Sequence, residues 1–159
     1  MQDVGFLLLA GGRSRRMGGG DKNQRHLGGK SVLQHVLDRV DRTGAPTAIN
    51  ANGDPHRFAD YGLPVIADVV DGYAGPLAGI LTGLEWMAAH HPNHAYMISL
   101  ATDAPFLPPD LAYRLYARLD SDADIVQAQS FGQRHPVFAI WPVALAADLR
   151  EAVCNQGVR

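Results

Sequence analysis

The residues with the most chemistry to offer open the chain. Leu9-Ala-Gly-Gly-Arg-Ser-Arg-Arg-Met-Gly-Gly-Gly-Asp-Lys22 interleaves glycines with the cations Arg13, Arg15, Arg16 and Lys22. Glycines have no Cβ, so backbone N–H groups there can approach a phosphate closely, and the cations can hold and neutralise it. A solvated surface loop has the same composition. Its place straight after a buried first strand favours polyphosphate binding. The P-loop pattern does not fit, because Lys22 stands between Asp21 and Asn23. The GxGxxG pattern does not fit either, because Arg13 and Ser14 stand where the spacing needs a glycine and a helix start.

Two further groups could complete a nucleotide site. Thr102-Asp103-Ala-Pro-Phe-Leu-Pro-Pro109 follows an apolar run. A carboxylate at a strand's carboxyl tip, facing a phosphate loop, can hold Mg²⁺, which takes oxygen ligands and bridges to substrate phosphates. Asp103 is therefore the metal candidate, with an ordinary turn residue ahead of Pro105 as the other reading. Asp68 could accept from a guanine edge or a ribose hydroxyl, and Gly75-Pro-Leu-Ala-Gly79 would let a ligand come close to a helix start.

These groups need strands to present them. Val4 to Ala10 is continuously apolar, the pattern of a parallel strand buried on both faces, and Gly11-Gly12 end it. Residues 11 to 29 read as a loop. Ser31 can cap a helix whose Val32, Leu33, Val36, Leu37 and Val40 share one face, stopped by Gly44 and Pro46. Thr47 to Asn50 and Pro64 to Ala67 are short strands, and Pro76 opens a helix with Leu77, Ile80, Leu81, Leu84 and Met87. Ala95 to Ala101 is a second buried strand, and Pro108-Pro109-Asp110 precedes a helix with Leu111, Leu115 and Leu119 inward. Strands at Asp124 to Gln129 and Val137 to Trp141 and a helix from about Val143 to Val153 complete the chain. This alternation predicts an α/β fold, a Rossmann-like three-layer α/β/α sandwich with a mostly parallel sheet. Ligands of such sheets lie beyond the strands' carboxyl ends, where Gly11, Gly12, Asn50, Asp68 and Asp103 all fall.

The bulk numbers narrow the partners. A chain of 159 residues with 47% apolar content suits one domain, residues 1–159. The formal net charge of −2 gives no reason to expect nucleic acid or an anionic membrane as partner. Cys154 is the single cysteine, which suits a reducing compartment, and the expected location is the cytoplasm. Val4 to Ala10 is too short to cross a bilayer. His90 and His94 have metal-ligand spacing on a helix, but Pro92 interrupts it, so His90, His91 and His94 read as structural or solvated. Trp86 and Trp141 lie on apolar faces and read as core.

LAGGRSRRMGGGDK, GPLAGILTGLEW, TDAPFLPPDL and RHPVFAIW, in that order, resemble the motifs of the molybdenum cofactor guanylyltransferase family, within the nucleotide-diphospho-sugar transferase type of nucleotidyltransferases. The resemblance implies Mg²⁺-dependent transfer of GMP from GTP to the phosphate of molybdopterin, usually carrying molybdenum, with release of pyrophosphate. It also implies transient contact with other molybdenum cofactor proteins. Carried onto this chain, Leu9, Ala10, Gly11 and Gly12 form the nucleotide-binding turn, Lys22 is the phosphate lysine, Asn50 and Asp68 contact GTP, and Asp103 holds Mg²⁺. The expected catalytic groups are Lys22, Arg16 and Asp103. His135, within RHPVFAIW, would face the acceptor. Family members continue past this point to a Phe-x-Asn-x-Asn-Thr-Pro segment, so the chain is expected to lack the family's C-terminal part. Two alternatives stay open: a related transferase using CTP or another triphosphate with a different phosphorylated acceptor, and a nucleotide-binding regulatory module without turnover.

Overall fold

The computed structural model describes residues 1–11, 26–40, 42, 44–70, 72, 75–119, 125–156 and 158. The opening apolar run forms strand β1, Val4–Leu9. Its side chains divide between two cores. Val4, Phe6 and Leu8 pack with Leu33, Val36 and Leu37, whereas Leu7 packs with Ile80, Leu84 and Met87. Because both faces are covered, the strand reads as continuously apolar rather than alternating. Phe6, Leu7 and Leu8 are each 2% exposed or less, and burial of each stabilises the fold by roughly 1.5–3 kcal/mol.

Helix α1, Val32–Arg39, starts where expected, with the Ser31 hydroxyl accepting from the Gln34 N–H at 3.0 Å. Just ahead of it, β2 (His26–Leu27) and β3 (Lys30–Ser31) pair antiparallel across Gly28 and Gly29, whose φ angles are +59° and +87°. The first strand of this ladder falls inside the expected loop and the second lies just past it. Two residues per strand are too few to show a hydrophobic period, so only the Gly-Gly pair hinted at the turn.

Strand β4 (Thr47–Asn50) leads through a 3-10 helix, Pro55–Tyr61, to β5 (Val65–Ile66). The 3-10 turn, absent from the sequence reading, buries Phe58 completely. Next come α2 (Pro76–His90), β6 (Tyr96–Ala101) and α3 (Leu111–Tyr116). Leu111 and Leu115 are buried as expected, while Leu119 lies past the helix end, partly buried against the same core. The chain closes with β7 (Val126–Ser130), β8 (Gln133–Pro142) and α4 (Ala146–Asn155).

The sheet order is β5-β4-β1-β6-β8-β7, with β5, β4, β1 and β6 parallel and β8 antiparallel to both its neighbours. α1 and α3 join one core and α2 and α4 the other, giving the three-layer sandwich. β8 starts earlier than the Val137 to Trp141 expectation and runs through Pro136. Gln127 pairs with Ala139 but the next residue, Ala128, pairs with His135, so Pro136 to Phe138 bulge out of the ladder. Proline, which has no N–H to donate, sits where no ladder bond is required. Ser99 ties this bulge to β6: its hydroxyl donates to the Val137 carbonyl and accepts from the Trp141 indole N–H, both at 2.9 Å. Trp141 is 8% exposed, a core residue as expected.

Candidate active site

The four parallel strands end level. Ile66, Asn50, Leu9 and Ala101 are register partners across β5, β4, β1 and β6. Three interstrand spacings put the outer two about 14 Å apart, a span one extended nucleotide can cover. Ladder bonds continue to this edge, from Ala10 N–H to the Asn50 carbonyl at 2.9 Å and from Ala51 N–H to the Ile66 carbonyl at 3.0 Å. The residues just past it, Gly11, Asn52, Asp68 and Asp103, are where the backbone leaves the sheet. The strand order also reverses here: the chain moves outward from β1 to β4 and β5, then returns through α2 to place β6 on the other side of β1. Such reversal points are the usual ligand crevices of open α/β sheets.

Asn50 organises the β4–β5 side. It is 3% exposed, and its Nδ2 donates to the Ile66 carbonyl at 3.2 Å and to Asp68 Oδ1 at 2.9 Å. Both donors of the amide are thereby engaged, leaving Oδ1 as its one available polar atom. That atom lies against Gly79 of α2, where an added Cβ would overlap it and come within 2.8 Å of Leu9 Cδ2. Gly79 thus lets the first turns of α2 close onto β1 and β4. Gly75, the residue ahead of this helix, makes no side-chain cap bond, and Pro76 occupies its first turn. The partly positive helix start therefore points along the same edge, available to an anion.

Asp68 is held by three hydrogen bonds with two residues. Besides Asn50, Asn52 Nδ2 donates to Asp68 Oδ2 at 2.7 Å, and the Asp68 N–H donates to Asn52 Oδ1 at 2.9 Å. The next residue is anchored too, Val69 N–H donating to the Thr82 hydroxyl at 3.0 Å. Asn52 was missed by sequence reasoning; the only signal was its alternation with Asn50 at a strand end before Gly53.

On the other side, Thr102 is 2% exposed and its hydroxyl donates to the Leu9 carbonyl at 3.1 Å, tying the exit of β6 to that of β1. Asp103 then faces solvent. Its loop is braced from α1, where Arg39 Nη1 donates to the Leu107 carbonyl at 3.3 Å and the guanidinium lies 6.0 Å from the Phe106 ring centre. The expected turn residues Leu9, Ala10 and Gly11 are thus next to Asp103 on adjacent strands, with Asn50 and Asp68 on the far side of β1. Gly12, Arg13, Arg15, Arg16 and Lys22 lie outside the described residues.

The histidines divide. His90, His91 and His94 fall at the opposite, amino edge of the sheet, between α2 and β6. His90 Nδ1 is 3.0 Å from the Trp86 carbonyl, and His91 packs edge-on to the Trp86 ring. Burial and the neighbouring His94 lower the His91 pKa. His135 precedes the β8 bulge, toward the carboxyl end of β6, with Nε2 2.7 Å from the Ser130 hydroxyl.

A mostly parallel sheet with this edge defines the nucleotide-diphospho-sugar transferase type of fold. It is similar to that of a molybdopterin-guanine dinucleotide biosynthesis protein A from Archaeoglobus fulgidus, with a TM-score of 0.74 at 24% identity over 97% of this chain and 74% of that one. Residues 6–159 match the MobA-like NTP transferase domain, and the chain belongs to that family. A molybdenum cofactor guanylyltransferase of Rhodopseudomonas palustris (strain BisB5) is 54% identical over 154 residues, 96% of this chain and 73% of the relative. One of the same name from Mesorhizobium japonicum is 50% identical over 159 residues, 99% of this chain and 76% of the relative. The chain therefore spans about three-quarters of the length of the relatives it matches.

Proposed function

We propose that this chain transfers GMP from GTP to the phosphate of molybdopterin, releasing pyrophosphate and forming the guanine dinucleotide of the cofactor. The observation that carries the reading is the level edge of four strands. It puts the Leu9–Gly11 turn between the Asn50–Asp68 pair on one side and Asp103 on the other, in a chain half identical to molybdenum cofactor guanylyltransferases.

The chemistry needs little from side chains beyond placement. A terminal phosphate is already an anion near neutral pH, so its oxygen can attack the α-phosphorus of GTP without a strong base, and alignment and charge neutralisation carry the rate. The α-phosphorus gains a bond to the acceptor oxygen as its bond to the bridging oxygen breaks, and pyrophosphate leaves with that electron pair. Asp68 and the helix start of α2 hold and orient the nucleotide, while Lys22 and Arg16 neutralise the polyphosphate. Asp103 suits Mg²⁺ because it is an exposed carboxylate just past the tip of β6, on the strand next to the Leu9–Gly11 turn. A carboxylate matches an ion that keeps several waters and takes substrate phosphates as ligands. When bound there, the ion would offset charge developing on the α-phosphate and the departing pyrophosphate.

The test is direct. The protein is incubated with Mg²⁺, molybdopterin and each of GTP, CTP, ATP and UTP, and the pterin product is weighed by mass spectrometry. Molybdopterin guanine dinucleotide with equimolar pyrophosphate from GTP alone is expected. A cytosine product, or none from any triphosphate, would overturn the assignment.

A further inference from the structure

We infer that Asn52 is a positioning residue for nucleotide recognition, locking Asp68 so that both its carboxylate oxygens present free acceptor capacity to a pair of adjacent donors on the nucleotide. The inference rests on the guanylyl-transfer reading and adds to it Asn52 and its role.

The geometry is a closed ring of two hydrogen bonds. Asn52 Oδ1 accepts from the Asp68 backbone at 2.9 Å while Asn52 Nδ2 donates to Asp68 Oδ2 at 2.7 Å, so one amide fixes both the main chain and the carboxylate of its partner. Asn50 Nδ2 reaches the other oxygen, Oδ1, at 2.9 Å. Each carboxylate oxygen therefore receives one amide donor and retains room for another. Asn52 is itself tied down, its carbonyl accepting from Arg57 Nη2 at 2.8 Å. Asn50 is buried, but Asp68 is only half-buried and Asn52 is exposed, so the locked pair lies at the surface of the strand edge. A carboxylate held in one plane suits two parallel donors better than one. Two parts of GTP offer such a pair: the guanine N1–H with its exocyclic amine, and the vicinal ribose hydroxyls.

The experiment measures Mg²⁺-GTP binding by calorimetry for the wild type, Asn52→Ala, Asn52→Asp, Asp68→Ala and the Asn52→Ala/Asp68→Ala double variant, with thermal melting of each. Asn52→Ala should weaken binding about tenfold, the size of one lost hydrogen bond to a charged group. Asn52→Asp keeps the acceptor for the Asp68 N–H but sets a second carboxylate against Oδ2, so its loss should be larger. In the Asp68→Ala background, Asn52→Ala should cost less than about twofold more, because its partner is gone. Inosine triphosphate and 2′,3′-dideoxyguanosine triphosphate identify the donor pair: the wild-type advantage over Asn52→Ala should shrink for whichever analogue lacks it. Undiminished GTP binding by Asn52→Ala, full additivity with Asp68→Ala, or an advantage unchanged for both analogues would overturn the inference and leave guanylyl transfer standing. A wild type that binds no nucleoside triphosphate would overturn both.

Discussion

Asn50 and Asp103 sit on the same edge in opposite surroundings, one buried and one exposed. Asn50 is buried, with both amide donors engaged by the Ile66 carbonyl and Asp68. Asn50→Asp would set one carboxylate oxygen in place of Nδ2, burying a charge against the Ile66 carbonyl and Asp68 Oδ1 and leaving Oδ1 without its amide donor, while the Ile66 carbonyl keeps its bond from the Ala51 N–H. It should lower the unfolding free energy by about 2–3 kcal/mol, read as a fall in the urea midpoint without a change in slope. An unchanged midpoint would mean the Asn50–Asp68 bond carries no weight. Asp103 is exposed, so Asp103→Ala should leave the melting temperature nearly unchanged while guanylyl transfer at saturating Mg²⁺ falls at least about a hundredfold. Normal transfer by that variant would remove Asp103 from the metal assignment. The carboxylates and the Leu9–Gly11 turn were legible in the sequence because they sit at the ends of apolar runs. The Asn50–Asp68–Asn52 bonding was not, because it joins residues sixteen and eighteen apart whose meeting depends on β4 and β5 being neighbours.

Among the elements, α2 decides how closely the site can be built. Its mean character is apolar on nearly every face, with residues 78 to 84 all buried. Gly79 and Gly83 turn that burial into close approach, since a Cβ at Gly83 would lie 2.5 Å from Leu7 Cδ2. Gly79→Ala would press a methyl on the Asn50 amide, which two hydrogen bonds keep from moving aside. Overpacking should outweigh the roughly 1 kcal/mol that alanine adds to a helix, for a net loss of up to about 2 kcal/mol together with weaker GTP binding. Denaturant unfolding alongside a GTP titration checks both, and a variant at least as stable with intact affinity would show that α2 can slide. Helix starts at Ser31 and Pro76 were readable because capping and proline chemistry are local. The β2–β3 ladder, the 3-10 helix and the β8 bulge were not: the first two are too short to carry a period, and the bulge is defined only against β7 and β6.

For the molecule as a whole, ligand linkage offers the broadest test of the site. A nucleotide bound across β5, β4, β1 and β6 would brace four strands that unfold together. At a hundredfold excess over its dissociation constant, Mg²⁺-GTP should add about 2.7 kcal/mol to stability, a melting shift on the order of 5–10 °C for a chain this size. Chelating the magnesium should remove most of the shift. A melting curve indifferent to GTP with Mg²⁺ present would argue against an assembled site. No helix among the described residues is long and apolar enough to cross a membrane.

By itself the sequence determined the parts whose causes are local: which runs are buried strands, where helices are capped, and which carboxylates and glycines fall at strand ends. Side-chain period, capping and turn chemistry act over a few residues, so they can be read along one chain. The tertiary structure alone decided that β6 lies on one side of β1 and β4 on the other, which sets Asp103 and Asp68 on opposite sides of the Leu9–Gly11 turn. It also decided that β8 runs antiparallel and that Asn52 clamps Asp68. Strand order is settled by which apolar faces pack across the sheet, a competition among residues far apart in the chain that no local pattern records.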